Sequence, residues 1–156
     1  MMCREARIID RAGSSLEKIL KRMETIREPI TITLTLDTLK YARMSGRVGT
    51  LQAALATVLN VKPIVTLQDG MLQMTERVRT RQFSLDRVIK IVKEKFGDSR
   101  LNMAVVHALD TEAAKILLEK VRMSFNLKDL ITTDLSISVA ANLGPGTVGI
   151  VAYPEQ

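Results

Sequence analysis

Seven residues in strict alternation, Ile30-Thr31-Ile32-Thr33-Leu34-Thr35-Leu36, most constrain what this chain can fold into. Apolar side chains fall on even positions and threonine on odd ones, which is the two-residue period of a strand, and β-branched residues suit a pleated backbone. Further strand patterns follow: Pro63 to Leu67, Met71 to Val78 with Asp69-Gly70 as a two-residue hairpin turn, Asn102 to His107, Ile131 to Val139, and Thr147 to Ala152. Between them lie helical periods. Ser14 and Glu17 have capping-box spacing ahead of Leu16, Ile19, Leu20 and Met23, which predicts a helix over 15–26. A short helix passes through Leu39 and Tyr41 to Ser45-Gly46. Thr50 caps another with Leu51, Ala54, Leu55, Val58 and Leu59 on its apolar stripe. Leu85, Val88, Ile89, Val92 and Phe96 mark a helix over 84–96, and Asp110 caps one through Leu117, Leu118 and Val121.

The order predicts an α/β fold: a mixed sheet of about six strands with packed helices, in one domain over 1–156. Residues 1–13 are expected to be disordered or extraneous to that domain. With 46% hydrophobic residues, 156 residues suffice for a core. No apolar run approaches the roughly 20 residues of a membrane span, and no secretory leader is visible, so a cytoplasmic protein is expected. The lone Cys3 cannot form an internal disulfide and reads as an inert thiol. The net charge of +6 suggests an acidic partner. Nucleic acid is not favoured, because Trp is absent, aromatics are 3% of the chain, and readers of nucleic acid stack bases on aromatic rings.

Three segments could meet an anion. Gly46-Arg47-Val48-Gly49-Thr50 places an arginine between glycines before a helix start, although from spacing alone a helix–helix turn with a solvated arginine is the plainer reading. Arg77-Val78-Arg79-Thr80-Arg81, taken as strand, would put Arg77 and Arg79 on one face, as a docking stripe or as a solvated edge that discourages aggregation. Gly144-Pro145-Gly146, with Asn142 just ahead, is a turn that can aim N–H groups at a ligand or simply reverse the chain. The catalytic inventory is thin. His107 is the single histidine and reads as a satisfied strand-end imidazole. No spacing suits a metal, no acid–base pair can be assigned, and neither a P-loop nor a dinucleotide fingerprint occurs. No cofactor, no metal site, no catalytic residue and no enzyme are expected.

Four segments in this order resemble the DegV family: Leu36-Asp37-Thr38-Leu39-Lys40-Tyr41 running into Ser45-Gly46-Arg47-Val48-Gly49; Leu59-Asn60-Val61-Lys62-Pro63-Ile64-Val65; Val78-Arg79-Thr80-Arg81; and Gly144-Pro145-Gly146. The resemblance implies a DegV-like carboxy-terminal lobe of the EDD fold. The family's two lobes enclose a long-chain fatty acid, and some bacterial members present that acid to a fatty acid kinase, which makes the acyl phosphate. By the same resemblance, Arg47 is similar to the arginine near the acyl carboxylate, with Gly46, Asn142, Gly144 and Gly146 around the ligand. Arg79, with Arg77 and Arg81, lies in a segment similar to the family's basic motif and implies a kinase-facing surface. Two departures stand out. The amino-terminal lobe, which carries the serine and threonine that bind the carboxylate, is absent from this sequence. Asn142 stands where the family usually has histidine, and an amide can donate a hydrogen bond but carries no charge. Each buried CH2 contributes about 0.8 kcal/mol, so one lobe alone is expected to hold the acid weakly. Its exposed inter-lobe face would favour self-association, such as a homodimer. The alternative is an interaction module that docks an acidic partner through Arg77–Arg81 without lipid.

Overall fold

The threonine-alternating segment forms the strand β1 (Thr31–Thr35), and it sits inside the sheet rather than at an edge. The structure, a computed structural model, describes residues 1–45, 61–68 and 70–155. Gly46, Arg47, Asp69 and the helix expected from Thr50 to Leu59 lie outside the described residues. Two compact units are present, Met1–Ile30 and Thr31–Gln156.

The first unit is a pair of helices, α1 (Met2–Arg11) and α2 (Leu16–Arg27). Residues expected to be disordered are therefore mostly helical. Arg22 ties the pair together, its Nε and Nη2 both donating to Glu5 Oε1 at 3.2 and 3.0 Å. The α2 cap is Ser15, one residue later than the Ser14–Glu17 box predicts, with its hydroxyl accepting from Lys18 N. Leu16 and Leu20 of the predicted helical period are exposed, and Ile26 is the buried residue of α2.

In the second unit β1 is followed by α3 (Lys40–Ser45), β2 (Lys62–Gln68), β3 (Met71–Val78), α4 (Arg81–Phe96), β4 (Leu101–His107), α5 (Thr111–Ser124), β5 (Leu127–Asp134), α6 (Ile137–Leu143) and β6 (Val148–Pro154). The six strands lie in the order β3-β2-β1-β6-β4-β5, antiparallel throughout except for the β4–β5 pair. Gln68 pairs with Met71, so the hairpin turn has the expected two residues, and Gly70 supplies its left-handed conformation (φ +77°).

The core lies between the sheet and the α4–α5 layer. Leu85, Val88 and Val92 of α4 and Leu117 and Val121 of α5 pack with Met103, Val105, Val148 and Ile150. Register puts Thr33 opposite Ile150 and Thr35 opposite Val148, so the threonine face of β1 looks into this core. The alternation identifies the strand; its central position buries the polar face, and Leu34 on the other face is buried too. The expected strand over 131–139 ends at Asp134, and residues from Ile137 turn into α6. Ile137 and Val139 are β-branched and mimic a strand pattern, whereas the helix is made by Ala140, Ala141 and the Gly144 stop.

Candidate functional site

β1, β3, β4 and β5 run one way and β2 and β6 the other. Four carboxyl ends and two amino starts therefore share one pole of the sheet. Asp37 follows β1, Lys62 opens β2, residues 79–80 follow β3, 108–110 follow β4, 135–136 follow β5, and 144–147 precede β6. Loops beyond strand carboxyl ends are a favoured place for ligands in open sheets.

An open cavity of about 500 Å³ occupies this pole. Ala108 and Leu109 form one wall from the β4–α5 turn, and Pro145 belongs to the glycine loop. Leu135, with Ile137, Ala140 and Ala141 of α6, completes the apolar lining. Leu109 and Ile137 are each 89% exposed, so large apolar groups stand open to solvent beside the cavity. Leu109 is also the one non-glycine residue with positive φ (+54°) among those described, a conformation that costs about 1–2 kcal/mol for an L-residue. A mostly apolar cavity of this size with few polar groups is the common form of a small-molecule site.

The polar lining consists of His107 and Asp134. His107 is buried, and its Nδ1 forms no hydrogen bond among the described residues; Asp134 Oδ1 lies 3.5 Å away, in an orientation that makes no bond. The strand-end placement predicted for this histidine holds; its backbone is paired (Leu135 N donates to His107 O), whereas its Nδ1 has no hydrogen bond among the described residues.

The glycine loop is held in place by close approach. A Cβ on Gly144 would stand 2.2 Å from Tyr41 Cδ2, and one on Gly146 2.7 Å from Asp37 Cβ. Both glycines adopt positive φ as well. Asp37 is in turn paired with Lys62 Nζ. Two of the quoted motifs, around Asp37–Tyr41 and Gly144–Gly146, are thus one packed unit. Arg81 joins it from the other side, its Nη2 donating to Gly146 O at 2.6 Å and to Asp110 Oδ2 at 2.5 Å.

The residues expected at the site are distributed unevenly. Gly46 and Arg47 lie outside the described residues. Gly144 and Gly146 flank Pro145 at the cavity. Asn142 is on α6, but its Nδ2 donates to Ser138 O at 2.6 Å, so the amide is engaged within its own helix. The stripe expected over Arg77–Arg81 is not continuous strand: β3 ends at Val78, and Thr80 caps α4 by accepting from Phe83 N. Arg77 and Arg79 are exposed, whereas Arg81 is half-buried and ion-paired. The threonine cap outweighs the alternation because its hydroxyl satisfies a helix N–H. The cavity wall itself escapes sequence reasoning. Leu109 carries no distinctive sequence signal, and Ile137 reads as strand. Among the described residues no cluster of three or more His, Cys, Asp or Glu could hold a metal, and no helix is long and apolar enough to cross a membrane.

The sequence profile described as "uncharacterised protein, DegV family" matches residues 1–155. A DegV domain-containing protein of Clostridium acetobutylicum is 31% identical over 145 residues, which is 92% of this chain and 52% of that protein. The chain spans about half the length of the curated relatives it matches. A solved structure from Thermus thermophilus, described as fatty acid binding of a DegV family protein, superposes with a TM-score of 0.91 at 28% identity and covers 99% of this chain and 56% of that one. A Thermotoga maritima protein, described as revealing fatty acid binding function, gives a TM-score of 0.85 at 22% identity over 99% and 54% of the two chains, a likeness of fold.

Proposed function

The chain belongs to the DegV family, and from that premise we propose that it is a fatty-acid-binding domain, the carboxy-terminal lobe of a lipid carrier rather than an enzyme. The observation that carries this reading is the open apolar cavity at the carboxyl pole, bordered by the Gly-Pro-Gly loop. It is supported by the fatty acid binding described for the Thermus thermophilus relative. Asp134 is an exposed carboxylate at the cavity, and a second carboxylate beside it would be repelled. The hydrocarbon, not the head group, is therefore the part of the acid suited to this space. Head-group contact falls to Arg47 and the glycine loop, with Asn142 able to contribute only by releasing Ser138. Delivery to a fatty acid kinase would use the exposed Arg77 and Arg79.

Native mass spectrometry of this chain and of a full-length relative, each titrated with oleate, tests the reading. Uptake of one oleate by the relative, and oleate-induced amide shifts around Leu109 and Ile137 in NMR spectra of this chain, are expected. No uptake by the relative, or shifts confined to other regions, would overturn it. A second reading, a protein-docking module without lipid, is favoured by the exposure of Arg77 and Arg79. Arg79→Glu separates the two: lost kinase coupling with retained lipid binding supports a docking role for Arg79, and no effect on either removes it.

A further inference from the structure

Leu109 and Pro145 line the cavity, and the residue after each, Asp110 and Gly146, is held by the same nitrogen, Arg81 Nη2. We infer that Arg81 is a positioning residue that clamps the β4–α5 turn to the Gly-Pro-Gly loop and so sets where Leu109 and Pro145 stand at the cavity.

The clamp is built from groups with little freedom. Asp110 spends its other oxygen on the α5 cap, Oδ1 accepting from Ala113 N at 3.0 Å, so its Oδ2 is presented in a fixed direction. Gly146 N donates to Ala108 O and Ala108 N donates to Thr147 O, both at 2.8 Å, which ties the loop to the turn through the backbone as well. Arg81 opens α4 next to the Thr80 cap, and Ser84 Oγ donates to its carbonyl at 2.7 Å. Three elements with no neighbouring sequence, α4, α5 and the loop before β6, therefore converge on one guanidinium. The arrangement also accounts for Leu109. With Asp110 fixed as the α5 cap and His107 fixed in β4, the turn between them has two residues, and Leu109 takes the left-handed conformation. Hydrogen bonds to a charged group are stronger than neutral ones, which suits Arg81 to hold a strained turn. Arg81 is thereby withdrawn from the partner-facing role that its motif implies; that surface reduces to Arg77 and Arg79.

The clamp follows from the contacts themselves, while its effect on a ligand rests on the carrier reading. Amide hydrogen exchange and decanoate titration, both followed by NMR on this chain, separate the two. Arg81→Gln should speed exchange of the Gly146 amide by about tenfold or more, with β4 and β6 interior amides unchanged. It should also weaken decanoate shifts at the cavity by about tenfold. Arg81→Lys keeps a charge that can reach both acceptors and should restore most of each effect. Asp110→Asn, which retains a cap acceptor for Ala113 N, gives a milder version should Arg81→Gln fail to fold. Wild-type exchange at Gly146 in both Arg81→Gln and Asp110→Asn would overturn the clamp. Faster exchange in a protein that decanoate never shifts would leave the clamp standing and remove the carrier reading.

Discussion

Thr33 and Thr35 are fully buried in the α4–α5 core face, and neither hydroxyl has a hydrogen-bond partner among the described residues. A buried hydroxyl without a partner costs about 1–3 kcal/mol of desolvation. Thr33→Val, which keeps the branched shape, should therefore raise stability by about 1 kcal/mol, read as a higher urea midpoint at unchanged slope. A fall would mean that an ordered water satisfies the hydroxyl. Gly144 is the opposite case. Its positive φ opposes a side chain, and so does the Tyr41 ring, which lies 2.2 Å from where a Cβ would stand. Gly144→Ala should cost about 2–4 kcal/mol, from left-handed strain plus overpacking. Adding Tyr41→Ala should return the steric part and leave the strain, which a thermal-unfolding double-mutant cycle would show. That Gly144-Pro145-Gly146 reverses the chain is legible from its residues; that Gly144 stops a helix and touches Tyr41 is not, because α6 reads as strand and Tyr41 is far away in the chain.

Among the elements, α4 is fastened to β3 by a two-pronged ion pair, Arg87 Nε and Nη2 donating to Glu76 Oε2 and Oε1 at 2.7 and 2.6 Å. These hydrogen bonds hold the Glu76 carboxyl below its ordinary value of 4.5 and raise Arg87. The folded state thus binds the Glu76 proton less readily than the unfolded chain. Its stabilisation is complete above about pH 4.5 and is lost as pH falls through the depressed folded value. Glu76→Gln should lower stability by about 1 kcal/mol at pH 7, a figure discounted for the pair's partial exposure. The gap between variant and wild type should close in acid, and urea midpoints from pH 3 to 7 would show it; a gap independent of pH would assign the cost to packing. Element identity was legible wherever cap and period agree, as in α5 with Asp110 and β4 with seven buried residues. It was not legible at α6, whose seven residues are too few for a helical period to outvote Ile137 and Val139.

For the molecule as a whole, the carrier reading predicts weak binding by this chain relative to full-length family members. Leaving half of a long acyl chain in water forfeits about 0.8 kcal/mol per CH2. That is more than about a thousandfold in affinity at roughly 1.4 kcal/mol per decade. Oleate titration of this chain beside a full-length relative by calorimetry should show that gap; equal affinities would mean that the cavity here is already a complete site. Local periodicity and capping determined most strands and helices, though not α1 or α6, and the mixed α/β class, because those signals act within a few residues. Long-range packing alone decided that β1 is central with its threonines inward, that Arg81 leaves its stripe for Asp110 and Gly146, and that Leu109, Ile137 and Pro145 surround one cavity. Each of those outcomes joins residues distant in the chain, and distance along the chain carries no information about which strand ends will share a pole.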